Sequence, residues 1–139
     1  MLTLLSRILI AAAVLSVAFL GALHSFAAPA LTARTSDDAG VRVVVTPKVY
    51  GPSSAVWEFS VVMDMHVKPL SENLTQAAIL VGGAGRRYQP IAWQGDAPGG
   101  HHRKGVLQFL RPAEMTKSIE LQLTGVGGIA MRTFRWEVE

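Results

Sequence analysis

The stretch "AVWEFSVVMDMHV", residues 55–67, decides how this chain folds. Trp57, Phe59, Val61, Met63 and Met65 fall on one parity, and Glu58, Ser60, Asp64 and His66 fall on the other. Successive side chains of an extended chain point to opposite faces. The alternation therefore describes a β-strand with one apolar face turned to a core and one polar face turned outward.

Shorter segments of the same kind surround it. "VRVVVTPKV" at 41–49 is Val-rich, with Pro47 confined to an edge or a bulge because it has no N–H to give a ladder. "AAILVG" at 77–82 is a short buried run, and "RRYQPIAWQ" at 86–94 follows the glycine-rich turn "GGAG". "GVLQFLR" at 105–111 and "SIELQLTGV" at 118–126 are the next two. "IAMRTFRWEV" at 129–138 comes last, with Met131 out of phase with Phe134 and Trp136. That phase change predicts a bulge near Arg132. Only residues 71–78 suit a helical turn, with Ser71 as its cap.

Seven short strands separated by Gly- and Pro-rich turns predict an all-β fold, an antiparallel sandwich of the immunoglobulin or fibronectin-III kind. Trp57 and Trp136 are placed to fill the space between its sheets. The chain has no cysteine, so no disulfide framework, thiolate metal site or lipid-modified cysteine is available to it.

The first thirty residues stand apart. Arg7 precedes an apolar run at 8–23, and "FAAPA" follows with Ala28-Pro29-Ala30 at the spacing of a cleavage site. These are the parts of a secretory signal peptide. Residues 1–30 are thus expected as signal, 31–40 as a flexible lead-in and 41–139 as the domain, exported to the periplasm or cell exterior. The alternative is an uncleaved N-terminal anchor, since the run is only a little shorter than the roughly 18 to 20 residues that span a bilayer. With cleavage, no stable membrane insertion is expected. Mean hydropathy of +0.31 overstates the domain's apolarity, because the signal supplies much of it.

Without Arg7, the 13 Lys and Arg fall to twelve against 10 Asp and Glu, a net charge of +2. That is too weak and too scattered for nucleic acid.

"WEFSVVMDMHVKPL", "WQGDAPGGHHRKGVLQF" and "SIELQLTGVGGIAMRTFRWEV" together resemble a group of small exported bacterial domains, mostly uncharacterised. Their shared features are a W-E strand, a D-x-H step, a G-G-H-H-R-x-G-V-L-x-F hairpin and a V-G-G turn before F-x-W. The resemblance implies an exported sandwich and brings no activity with it.

Three histidines follow the signal: His66, His101 and His102. Asp64 and His66 project from one strand face about 7 Å apart. If the loop before residue 105 folds over that face, His101 or His102 completes a two-histidine, one-carboxylate set for a transition metal such as Cu, Zn or Ni. Met63 and Met65 face the other way and read as core. Two other uses of the hairpin remain open. One is a structural cluster in which a histidine bridges to Asp64 or Glu58. The other is an anion or partner contact through Arg103 and Lys104 beside glycine-freed amides.

No G-x-S-x-G elbow occurs, and no carboxylate pair is singled out for acid and base roles, so no catalytic activity is expected. The sequence points to a binding or accessory module, metal-dependent or not, with an envelope protein as the alternative partner.

Overall fold

The computed structural model describes residues 30–114 and 116–138, and all but the last residue of the expected signal sequence at 1–30 lies outside them. The strands are β1 (Arg34–Asp38), β2 (Val41–Val49), β3 (Val56–Met65), β4 (Ala78–Val81), β5 (Arg87–Tyr88), β6 (Ala92–Gly95), β7 (His102–Leu110), β8 (Ser118–Thr124) and β9 (Met131–Glu137). One helical turn, α1 (Leu74–Ala77), precedes β4. They form a five-stranded sheet in the order β1-β2-β3-β7-β6 and a four-stranded sheet in the order β5-β4-β8-β9, with every pairing antiparallel.

The alternation in β3 is realised along its whole length, with Trp57, Phe59, Val61, Met63 and Met65 buried. They meet Leu121, Leu123, Phe134 and Trp136 of the second sheet in a single core. Phe59 lies edge-on to Phe109 at 5.7 Å between ring centroids and 5.9 Å from Trp136 across the sheets. Both sandwich tryptophans are buried, and each gives its indole N–H to a carbonyl: Trp57 to Gly51 at 3.0 Å and Trp136 to Thr32 at 2.7 Å. Burying each ring without losing its polar handle is what makes these residues stabilising as plugs.

Four expectations are corrected. Part of the lead-in is a strand: β1 pairs with β2 through a tight turn in which Ala39 and Gly40 have φ of 53° and 72°. Two left-handed residues match the right-handed twist of a two-residue hairpin, a geometry that Asn-Gly advertises and Ala-Gly conceals. The segment at 86–94 is two strands in different sheets, β5 and β6, separated at Pro90, where the missing N–H ends one ladder before the other begins. The cap of α1 is Asn73, whose Oδ1 accepts from the Thr75 amide at 3.1 Å, not Ser71.

The fourth correction concerns β9, whose register against β8 runs unbroken from Met131 to Glu137. Arg132, Phe134 and Trp136 are its buried face and Met131 is exposed. The inner place expected for an apolar residue belongs to an arginine. Arg132 donates to the carbonyls of Val126, Val41 and Asp38 at 3.2, 3.2 and 3.0 Å and to Ser36 Oγ at 2.7 Å. It thereby ties β1, in one sheet, to the edge of the other, where Arg34 Nε also donates to the Arg135 carbonyl at 3.1 Å.

Candidate functional site

The "GGHHRKG" hairpin lies at one end of the five-stranded sheet. Gly99 and Gly100, with φ of 116° and 71°, turn the chain back toward β7. The turn is fixed by backbone bonds to the segment leaving β3. Gly99 N donates to Leu70 O, Leu70 N to Gly100 O and Met65 N to His101 O, each at 2.8 Å. These bonds extend the β3–β7 ladder past its formal end, so the hairpin is part of the sheet.

From there alternation assigns the side chains. His102 and Lys104 point outward, and Arg103 between them points inward. His101 is exposed at the tip. His102 stands opposite Asp64 in the β3–β7 register, and its Nδ1 contacts Asp64 Oδ1. Both side chains remain substantially in water, at 57% and 39% exposure, which limits what the pair adds to stability.

Arg103, expected as an outward anion or partner contact, is only 1% exposed. It donates to the carbonyls of Leu70, Glu72 and Asp96 at 3.0, 2.8 and 3.3 Å, and its guanidinium lies 5.7 Å from the centre of the Trp93 ring. Burial pulls its pKa below the usual arginine range, opposed by the charges of Glu72 and Asp96. Desolvating a cation this far is tolerable because both terminal nitrogens donate to carbonyls and a ring face covers it, although the buried Nε has no partner. Arg103 pins the loops on either side of the hairpin. Lys104 keeps its side chain outside, while its amide donates to Asp96 Oδ2 at 2.9 Å.

His66 lies one residue beyond β3 and shares an open depression with Asp37, Gly40, Arg42 and Asp64. The structure thus joins Asp64 to His102 directly and to His66 through this depression. It does not bring His101 into the set. Among the described residues, no three His, Cys, Asp or Glu side chains converge as metal donors. Arg42 projects into the same depression, and a guanidinium there opposes a bound cation.

The register also adds two residues that the sequence did not single out, Asp37 and Arg42. Asp37, Arg42, Asp64 and His102 are directly paired across β1, β2, β3 and β7, a polar row on the outer face in which Arg42 stands between two carboxylates. The next rows hold Val44 beside Val62 and Thr46 beside Ser60. Lys48, in the β2 bulge, lies next to Glu58. Each parity was readable in β2 and β3 separately, but their alignment was not, because it depends on the pairing register. An open charged face of this kind has the charge and shape that recognition can use.

Comparison with family models, with curated proteins and with solved structures gives no match, so the site is read from its own geometry.

Proposed function

We propose that this protein is an exported, non-catalytic binding module of the cell envelope, built on an immunoglobulin- or fibronectin-like sandwich. Its recognition surface is the outer face of the five-stranded sheet and its partner is a protein. The apolar N-terminal run with its A-x-A ending and the resemblance to small exported domains support export. The observation that carries the binding surface is the row Asp37, Arg42, Asp64 and His102, set beside a flat patch of Val44, Val62, Thr46 and Ser60. Charged groups around small β-branched ones suit a partner that is steered by charge and docked over a modest area.

A transition-metal ion on Asp64 and His66 is the second reading, favoured by a depression they share with Asp37. Arg42 in that depression weighs against it.

The test is a photoreactive amino acid in place of Val62, compared with one in place of Thr133 on the outer face of the other sheet, each in the producing cell. A discrete protein adduct at position 62 and none at 133 supports the reading. No adduct at 62, or equal labelling at both, overturns it.

A further inference from the structure

We infer that the protein on this face is a second copy of the same chain, packed sheet to sheet about a two-fold axis parallel to the strands. The inference rests on the recognition surface proposed above and names its occupant.

The outward residues of β2 are Arg42, Val44, Thr46 and Lys48; β3 sets Asp64, Val62 and Ser60 level with the first three, and Glu58 level with Val49, next to Lys48 in the bulge. One strand reads cation, valine, hydroxyl, cation, and its neighbour reads anion, valine, hydroxyl, anion. A two-fold axis running between them lays β2 of each copy over β3 of the other. Arg42 then meets the partner's Asp64, Val44 the partner's Val62, Thr46 the partner's Ser60 and Lys48 the partner's Glu58. The flanking strands obey the same exchange, with Asp37 of β1 over the partner's His102 of β7 and Thr35 over the partner's Lys104. Such self-complementarity is what a closed two-fold interface requires.

Charge also selects the orientation. Turning the second copy about an axis across the strands would set Arg42 against the partner's Lys48 and Asp64 against the partner's Glu58. That arrangement opposes like charges at both ends of the patch. Only the axis along the strands sets the cations of β2 against the carboxylates of β3, and it yields the aligned packing common to stacked sheets.

These charges are not simply consumed within the sheet. Asp64 turns toward β7 to contact His102, and Glu58 accepts from Gln108 Nε2 at 2.8 Å, also on β7. Among the described residues, Arg42 and Lys48 make no side-chain hydrogen bond or ion pair. The two cations of β2 are left to a carboxylate from outside.

Four strands about 4.8 Å apart and seven residues at about 3.3 Å each give a contact roughly 20 Å on a side. That is at the small end for a specific interface, so the dimer is weak and sensitive to salt.

Sedimentation of the purified protein over a range of concentrations, at low and high salt, tests the inference. The wild type is expected to move from one copy toward two as concentration rises, and less so at high salt. Arg42→Asp and Asp64→Arg should each weaken self-association about ten-fold or more, because each sets like charges in contact twice. Mixed in equal amounts, the two variants should associate again, since each supplies the charge the other lacks; that recovery also shows that both are folded. A wild type that stays single, variants that associate like wild type, or a mixture that stays apart overturns the inference. If the protein stays single while the probe at position 62 captures a different protein, this inference falls and the recognition surface stands. If the probe captures nothing, both fall.

Discussion

Gly95 and Gly105 face one another across β6 and β7, with the Trp93 indole laid over both. Gly105 also stands opposite buried Val61 on its other side, in the inner phase of β7. A side chain there has no room. A Cβ on Gly105 would lie 2.6 Å from the Gln94 carbonyl oxygen and 2.7 Å from both the Gly95 Cα and the Trp93 ring. The tryptophan occupies the space that two absent side chains leave, and its outer surface supports Arg103. Core and hairpin are thereby mechanically joined.

Gly105→Ala should therefore destabilise the domain by about 2 kcal/mol or more, the range of overpacking against backbone that cannot retreat. Urea unfolding followed by tryptophan fluorescence reads the change. A loss below half a kcal/mol would mean that β6 shifts freely and that the glycine pair has no such role.

Arg132→Met keeps the length and apolar stem but removes every donor. The carbonyls of Val41, Asp38 and Val126 then lose their partner in a buried setting, and about 2 to 4 kcal/mol should go with them. Amide exchange should accelerate first in β1, whose attachment to β9 runs through Arg132 and Arg34. If β1 retains its protection, the guanidinium is not what holds it.

Arg132 also shows where the sequence stopped being legible. The alternation in "VWEFSVVMDM" and "SIELQLT" was enough to place their core faces, because each inward residue was apolar. In "MRTFRWE" the inward residue at 132 carries a charge, and parity read by hydrophobicity alone chose Met131 and required a bulge. The strand at 34–38 was hidden for a related reason. "RTSDD" has no apolar face, since Ser36 Oγ and the Asp38 carbonyl serve Arg132 and not the core. At the hairpin, the Asp64 and His102 encounter was foreseen as one use of the histidine pair. The burial of Arg103 was not, because "HHRKG" gives no sign of which parity faces in until the register with Met63 is known.

Arg103→Lys preserves the charge and should still cost about 1 to 3 kcal/mol. A single ammonium cannot reach the Leu70, Glu72 and Asp96 carbonyls together as the planar fork does. Thermal unfolding measures the loss, and limited proteolysis near residues 66–72 and 96–101 should localise it. A lysine variant as stable and as resistant as wild type would show that the loops are held by their backbone bonds alone.

Asp64→Asn and His102→Ala should each change stability by less than about 1 kcal/mol, because the pair is exposed and an ion pair in water contributes little. Under the proposed dimer their effect falls on association. The expected signature is a near-normal unfolding midpoint together with altered association and salt dependence. A loss of several kcal/mol would instead identify the pair as a structural clasp of the hairpin.

Metal titration separates the two readings of the depression around Asp64. Calorimetry of untagged, chelator-treated protein with Cu(II), Zn(II) and Ni(II) is expected to show only weak, non-stoichiometric heat. Asp64 is engaged with His102, His101 stands apart, and Arg42 sets a positive charge where the ion would sit. Removing that charge is the sharper comparison: Arg42→Ala should strengthen any residual binding. A tight one-to-one complex in the wild type, abolished by both His66→Ala and Asp64→Asn, would reverse the order of the two readings. His66 would then be a ligand and not a bystander at the rim of a protein-binding face.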